Sequence, residues 1–170
     1  MKAIDFDLPG VDGKNHTLKE LAGKKAVIVI FSCNHCPYVQ AYEDRIMAIQ
    51  SDYAAQGVQV VAINSNEDQN HPEDSFENMV KRAGEKKFNF LYLRDESQKT
   101  ARDYGATHTP HIFVFDSNKD LKYTGKADDN WQEPGKVKRK YLREALDAIL
   151  QGKPVPEPQT HAIGCTIKWK

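Results

Sequence analysis

The sequence predicts an α/β domain in which a central mixed β-sheet is flanked by helices. Three observations predict it. Two β-branched apolar runs, 26–31 and 58–63, enclose a segment of helical periodicity; two shorter apolar runs, 112–115 and 121–124, bracket a polar turn; and a second amphipathic stripe fills 137–150. A βαβ unit, a hairpin and a closing helix combine into one sheet covered on both faces. At 170 residues the chain suits one domain that buries about 70% of the surface its unfolded form exposes, so it needs no disulfides to fold.

Each element follows from local chemistry. Pro9-Gly10 and Asp12-Gly13 punctuate the run between Phe6-Asp7-Leu8 and His16-Thr17, which predicts an amino-terminal β-hairpin over 4–17. Ala26 to Phe31 is continuously apolar, the pattern of a strand buried on both faces and hence of the central strand. Val39, Tyr42, Ile46, Ile49 and Tyr53 recur at intervals of three and four, predicting a helix that ends at Gly57. Val58 to Ile63 is a second buried strand. Asn64 to Asp74 carries few apolar groups and is expected to be an exposed loop before a helix at 75–83. Phe88 to Leu93 predicts a strand and Ser97 to Tyr104 a short helix stopped by Gly105. Asp116 to Asp120 makes the turn of an antiparallel hairpin. Val137, Leu142, Leu146 and Ile149 give the last helix its apolar face before Gly152. Pro154, Pro156 and Pro158 then predict an extended tail. The expected organisation is a domain over 1–152 and a tail, 153–170, packed on it.

Charge narrows the function classes. Twenty-four Lys and Arg balance twenty-four Asp and Glu, so no global field draws nucleic acid or an anionic membrane, and neither is expected as a partner. No apolar run approaches the ~18–20 residues of a membrane span. The amino terminus lacks the apolar core of a signal peptide, and the three cysteines are an odd number, so the expected location is cytoplasmic. No phosphate-binding or dinucleotide glycine motif occurs, and no cofactor is expected.

Two of those cysteines carry the chemistry. Cys33-Asn34-His35-Cys36 lies between the central strand and the first helix, where free backbone N–H groups and the positive end of the helix dipole favour thiolate over thiol. The expectation is that Cys33 gains most from this and attacks a disulfide. Cys36 then resolves the mixed disulfide, and His35, when protonated, adds to thiolate stability. A structural zinc site would need a second ligand pair, and there is no other CxxC, so no metal is assigned. Cys165 follows the last helix on a tail able to span up to ~45 Å, enough to return to the CxxC as a further resolving thiol or simply to dock as a small core filler. The alternative from another class is a Cu(I)- or zinc-binding delivery module built on Cys33, Cys36 and a histidine or Cys165. The acidic runs Glu67-Asp68, Glu73-Asp74 and Asp128-Asp129 lack calcium-loop spacing and are expected to be solvated surface.

Thr109-Pro110 opens the strand that begins at His111. Together with the CxxC, this arrangement resembles the thioredoxin superfamily, in which a cis-proline preceded by Thr or a similar residue faces the two cysteines. The resemblance narrows to the peroxiredoxin-like branch, related to alkyl hydroperoxide reductase and thiol-specific antioxidant proteins. It is carried by Phe6-Asp7-Leu8-Pro9, Asp12-Gly13-Lys14, Cys33 to Pro37, Thr109-Pro110, Tyr123 to Asn130 and Gly164 to Trp169. The resemblance implies a thioredoxin-like fold with an inserted βα unit between Gly57 and Thr109, a substrate-facing edge at Thr109 and Pro110, and dithiol–disulfide exchange with antioxidant activity as an extension. It also implies two kinds of partner: a protein or small-molecule disulfide and a dithiol protein that supplies or accepts electrons. The chain departs from peroxiredoxins at two places. With Cys36 set at the peroxide-attacking position, Cys33 and Val29 stand where that family has threonine and proline.

Overall fold

The computed structural model describes residues 1–170. A hairpin of β1 (Asp7–Pro9) and β2 (Asn15–Thr17) leads to the seven-residue strand β3 (Ala26–Ser32), helix α1 (Pro37–Tyr53) and strand β4 (Val58–Asn64). Helix α2 (Phe76–Lys86), β5 (Leu91–Arg94) and α3 (Lys99–Tyr104) follow. Next come β6 (His108–Thr109), β7 (His111–Asp116) and β8 (Leu121–Gly125), then α4 (Tyr141–Leu150) and, in the tail, β9 (Cys165–Thr166).

Five strands form one sheet in the order β5-β4-β3-β7-β8, with β3 at its centre as its apolar run requires. β4 and β5 run parallel to their neighbours, whereas β7 and β8 run antiparallel, giving a mixed sheet. Alternation along β3 splits the core in two. Ala26, Ile28 and Ile30 pack with Tyr42, Ile46 and Ile49 of α1 and with Leu142 and Leu146 of α4. Val27, Val29 and Phe31 face the other way, toward Phe6, Leu18, Tyr104, Phe113 and Ile167. Each such aliphatic side chain contributes about 1.5–3 kcal/mol by leaving water, so β3 cannot slip by one residue without exchanging both faces. No helix is long and apolar enough to cross a membrane.

Three expectations are corrected. Asn64 to Asp74 is not an exposed loop: Asn64, Ser65, Asn66, Glu67 and Asp74 are buried. Their polar groups find partners inside the molecule, so burial leaves no unpaired amide or carboxylate among them. Asp128 is buried too, because Arg45 and the Tyr42 hydroxyl both reach its carboxylate at 2.8 Å. Val137 lies outside the last helix. The Asp129 side chain accepts the Lys138 N–H at 2.9 Å and the Asp129 N–H donates to the Arg139 carbonyl, which holds this stretch extended until Tyr141.

The tail follows the sheet edge and then crosses to the carboxyl end of β3. The Thr124 N–H donates to the Pro158 carbonyl and the Thr160 N–H returns the bond to Thr124, after which β9 pairs antiparallel with β6.

Candidate active site

β3 ends at Ser32, the chain turns through Cys33, Asn34 and His35, and Cys36 caps α1, with Pro37 at its first position. Proline suits that position because its missing N–H would have no helical partner there. Asn34 fixes the turn. Its N–H donates to Asp74 Oδ1 at 2.7 Å, its Nδ2 donates to the Glu73 carbonyl at 2.9 Å, and its Oδ1 accepts from the Tyr92 hydroxyl at 2.7 Å. The segment read as an exposed loop is thus the wall against which the CxxC turn is built.

Both CxxC cysteines are buried, and Cys165 is half-buried beside them. The Cys36 and Cys165 sulfurs lie 2.8 Å apart, short for two non-bonded sulfurs and longer than the ~2.05 Å of a disulfide. Cys33 Sγ sits 3.7 Å from the Thr109 hydroxyl, and Cys36 in its thiol form donates to the Thr109 carbonyl at 3.4 Å. The Thr109–Pro110 peptide bond is cis, as the resemblance implies.

The two CxxC thiols move in opposite directions, Cys36 down and Cys33 up. A hydrogen bond from the Cys33 thiol is the largest influence on Cys36. It outweighs burial and, with the Cys165 thiol and the Val39 N–H of the first helical turn, lowers Cys36 to about 4. Cys33 moves up, because its proton serves that bond, because it is buried, and because the Asp74 carboxylate lines the same pocket. Burial and the bond to Cys36 push Cys165 up to about 11. The Val39 N–H is the contribution of the helix itself to Cys36, and it ranks below those of the two thiols.

His35 is exposed at the pocket mouth and hydrogen-bonds to neither sulfur. His111 is turned away against Phe113, its ring centroid 4.6 Å from that ring, and accepts the Thr107 N–H; burial and the neighbouring His108 lower it to about 4. His71 joins the pocket instead, with Nδ1 2.5 Å from Glu67. No three His, Cys, Asp or Glu side chains converge in metal-binding geometry. Sequence reasoning missed Asp74, Asn34 and Tyr92. Asn34, between the two cysteines, was the one with a visible signal.

A parallel-antiparallel sheet with a CxxC at the end of its central strand and a cis-proline facing it defines a thioredoxin-like protein. The Redoxin family model matches residues 1–141, and the chain belongs to that family. An uncharacterized conserved protein from Geobacillus kaustophilus is similar at 42% identity, covering 100% of this chain and 91% of that one, with a TM-score of 0.94. A thiol:disulfide interchange protein of the thioredoxin family from Chlorobium tepidum TLS shares the fold, with a TM-score of 0.69 at 21% identity over 88% of this chain and 96% of that one. The thiol-disulfide oxidoreductase ResA of Halalkalibacterium halodurans is 26% identical over 120 residues, 71% of this chain. The chain matches 64% of that relative's length.

Proposed function

We propose that the protein is a thiol–disulfide oxidoreductase working through Cys33 and Cys36. The observation that carries this reading is a pair of thiols in one turn at the start of α1 that both face the cis Thr109–Pro110 edge, Cys33 Sγ 3.7 Å from the Thr109 hydroxyl and Cys36 Sγ 3.4 Å from the Thr109 carbonyl. The Cys36 thiolate attacks one sulfur of a substrate disulfide and expels the other as a thiolate. Cys33 then loses its proton and attacks the Cys36 sulfur, releasing the second substrate thiol and leaving a Cys33–Cys36 disulfide. The substrate gains two electrons and two protons, and a dithiol protein restores them. The ResA likeness and the Redoxin family support exchange as the activity. Peroxide reduction by the same thiolate is an extension, and a cytoplasmic setting belongs to the same proposal. In the Cu(I) or zinc alternative, reduced protein purified without chelator would carry stoichiometric metal.

The test is a pair of serine variants. In a Cys165→Ser background, which removes the neighbouring thiol, Cys33→Ser is expected to accumulate a mixed disulfide on Cys36, while Cys36→Ser loses exchange; mass spectrometry after a disulfide challenge reads both. Trapping on Cys33 instead would restore the order that the motif spacing predicts, and full turnover in both variants would end the assignment.

A further inference from the structure

The edge expected to receive substrate is already occupied by the chain itself. β9 pairs with β6 in the register His108↔Thr166 and Thr109↔Cys165, and the Ile167 N–H extends the ladder to the Thr107 carbonyl at 3.1 Å. On its other side the segment is clamped by the Glu67 N–H, which donates to the Lys168 carbonyl at 2.8 Å, and by the Lys168 N–H, which donates to Asn66 at 2.9 Å. Gly164 lies so close that a Cβ there would overlap the Thr109 carbonyl oxygen. The register sets Cys165 opposite Thr109, where an extended peptide added to this edge would present its own cysteine to Cys36.

We propose that residues 164–168 act as a built-in substrate strand and that Cys165 is a third catalytic thiol, exchanging directly with Cys36. This deepens the dithiol reading and rests on it. After turnover leaves a Cys33–Cys36 disulfide, the Cys165 sulfur loses its proton and attacks Cys36. A Cys36–Cys165 bond forms, the Cys33–Cys36 bond breaks, and Cys33 leaves as a thiolate that takes up the proton. Electrons balance within the chain, with no outside oxidant. The exchange moves the disulfide from a buried pair toward half-buried Cys165, where a reducing thiol meets it. The same strand discriminates among substrates: a small disulfide needs only the sulfurs, whereas a protein disulfide needs the β6 edge and must displace β9.

The experiment uses full-length protein. Reduced protein is challenged with oxidised glutathione, digested with trypsin without reduction, and mapped. Cys33 and Cys36 share one tryptic peptide, since no Lys or Arg lies between Lys25 and Arg45, so a disulfide joining that peptide to the one holding Cys165 is diagnostic. The junction is expected in wild type and in Cys33→Ser, and lost in Cys36→Ser; its absence from wild type, or its survival in Cys36→Ser, overturns the proposal. Gly164→Val is expected to dislodge the strand and raise the rate on insulin about tenfold relative to the rate on oxidised glutathione, as the competent fraction rises. Equal change on both substrates overturns the discrimination. Cys165→Ser is expected to lose the junction, and a far-ultraviolet circular dichroism spectrum of Gly164→Val that matches wild type distinguishes a dislodged strand from a misfolded chain. Exchange without the junction defeats this inference alone, whereas no exchange with either disulfide defeats the dithiol reading as well.

Discussion

Two buried carboxylates show how differently one fold treats the same group. Asp128 faces a cation: Arg45 reaches it at 2.8 Å and also donates to the Asn130 and Trp131 carbonyls, so the charge is answered and the loop before α4 is fixed to α1. Asp74 accepts only from uncharged amides, the Asn34 N–H at 2.7 Å, Asn64 Nδ2 at 3.1 Å and Asn66 Nδ2 at 3.0 Å. Hydrogen bonds satisfy its oxygens and bring no counter-charge, so its carboxylate adds to the upward move of Cys33, after the bond to Cys36 and burial, and of the Tyr92 phenol, after burial and Cys33. A buried charge with a counter-charge holds structure together; one given only dipoles projects its field onto its neighbours.

The largest expected effect breaks the paired side. Asp128→Ala leaves the Arg45 guanidinium nearly buried without its carboxylate and is expected to cost about 3–5 kcal/mol in chemical denaturation, with thiol titration unchanged. A change in the thiols of comparable size would show that the two clusters are coupled after all. Asp74→Asn sharpens the other side. It costs about 1–3 kcal/mol, because an amide meets donors where a carboxylate accepted them. Measured in a Cys36→Ser background, it raises the alkylation rate of Cys33 at neutral pH about tenfold, the effect of lowering the thiol by one unit. An unchanged alkylation profile would remove Asp74 from the site.

The smallest effect repeats the comparison with histidines. Burial opposes charge on His16, yet its hydrogen bonds to the Asp12 and Glu20 carboxylates win and raise it above its usual value; burial governs His111, with His108 adding to it, and takes it down to about 4. The unfolded chain therefore binds a proton at position 111 before the folded protein does, and stability falls as pH drops from about 6.5 toward 4. At His16 the folded state binds first, so its stabilisation is full below about 6.5 and is lost as pH rises through its raised value. Denaturation midpoints followed across pH should show His111→Gln flattening the acid limb and His16→Gln removing the loss on the neutral side. An acid-limb effect from both variants would mean that burial, rather than pairing, governs both.

What could be read from the sequence follows from range. β3, β4 and the face of α1 were legible because apolar periodicity records burial locally, and the CxxC because its spacing is short. Asp74 was not: its bonds to Asn34 join residues 40 apart, and an acidic residue in a polar stretch looks the same whether it meets water or amides. Cys165 was legible as a thiol able to return, but its landing on Cys36, 129 residues away, rather than on Cys33 depends on the β6–β9 register.

Ile167 gives the tail a latch. Its side chain is 3% exposed, lodged in the core face that includes Phe31 and Phe113, two residues beyond the sulfur it helps to place. Withdrawing it into water costs about 1.5–3 kcal/mol, which alone confines the undocked population to roughly one molecule in ten to one in a hundred. Large clients therefore wait for a rare opening while compact ones do not, and an aliphatic residue outside the redox centre lengthens that wait beyond what the backbone bonds of β9 impose.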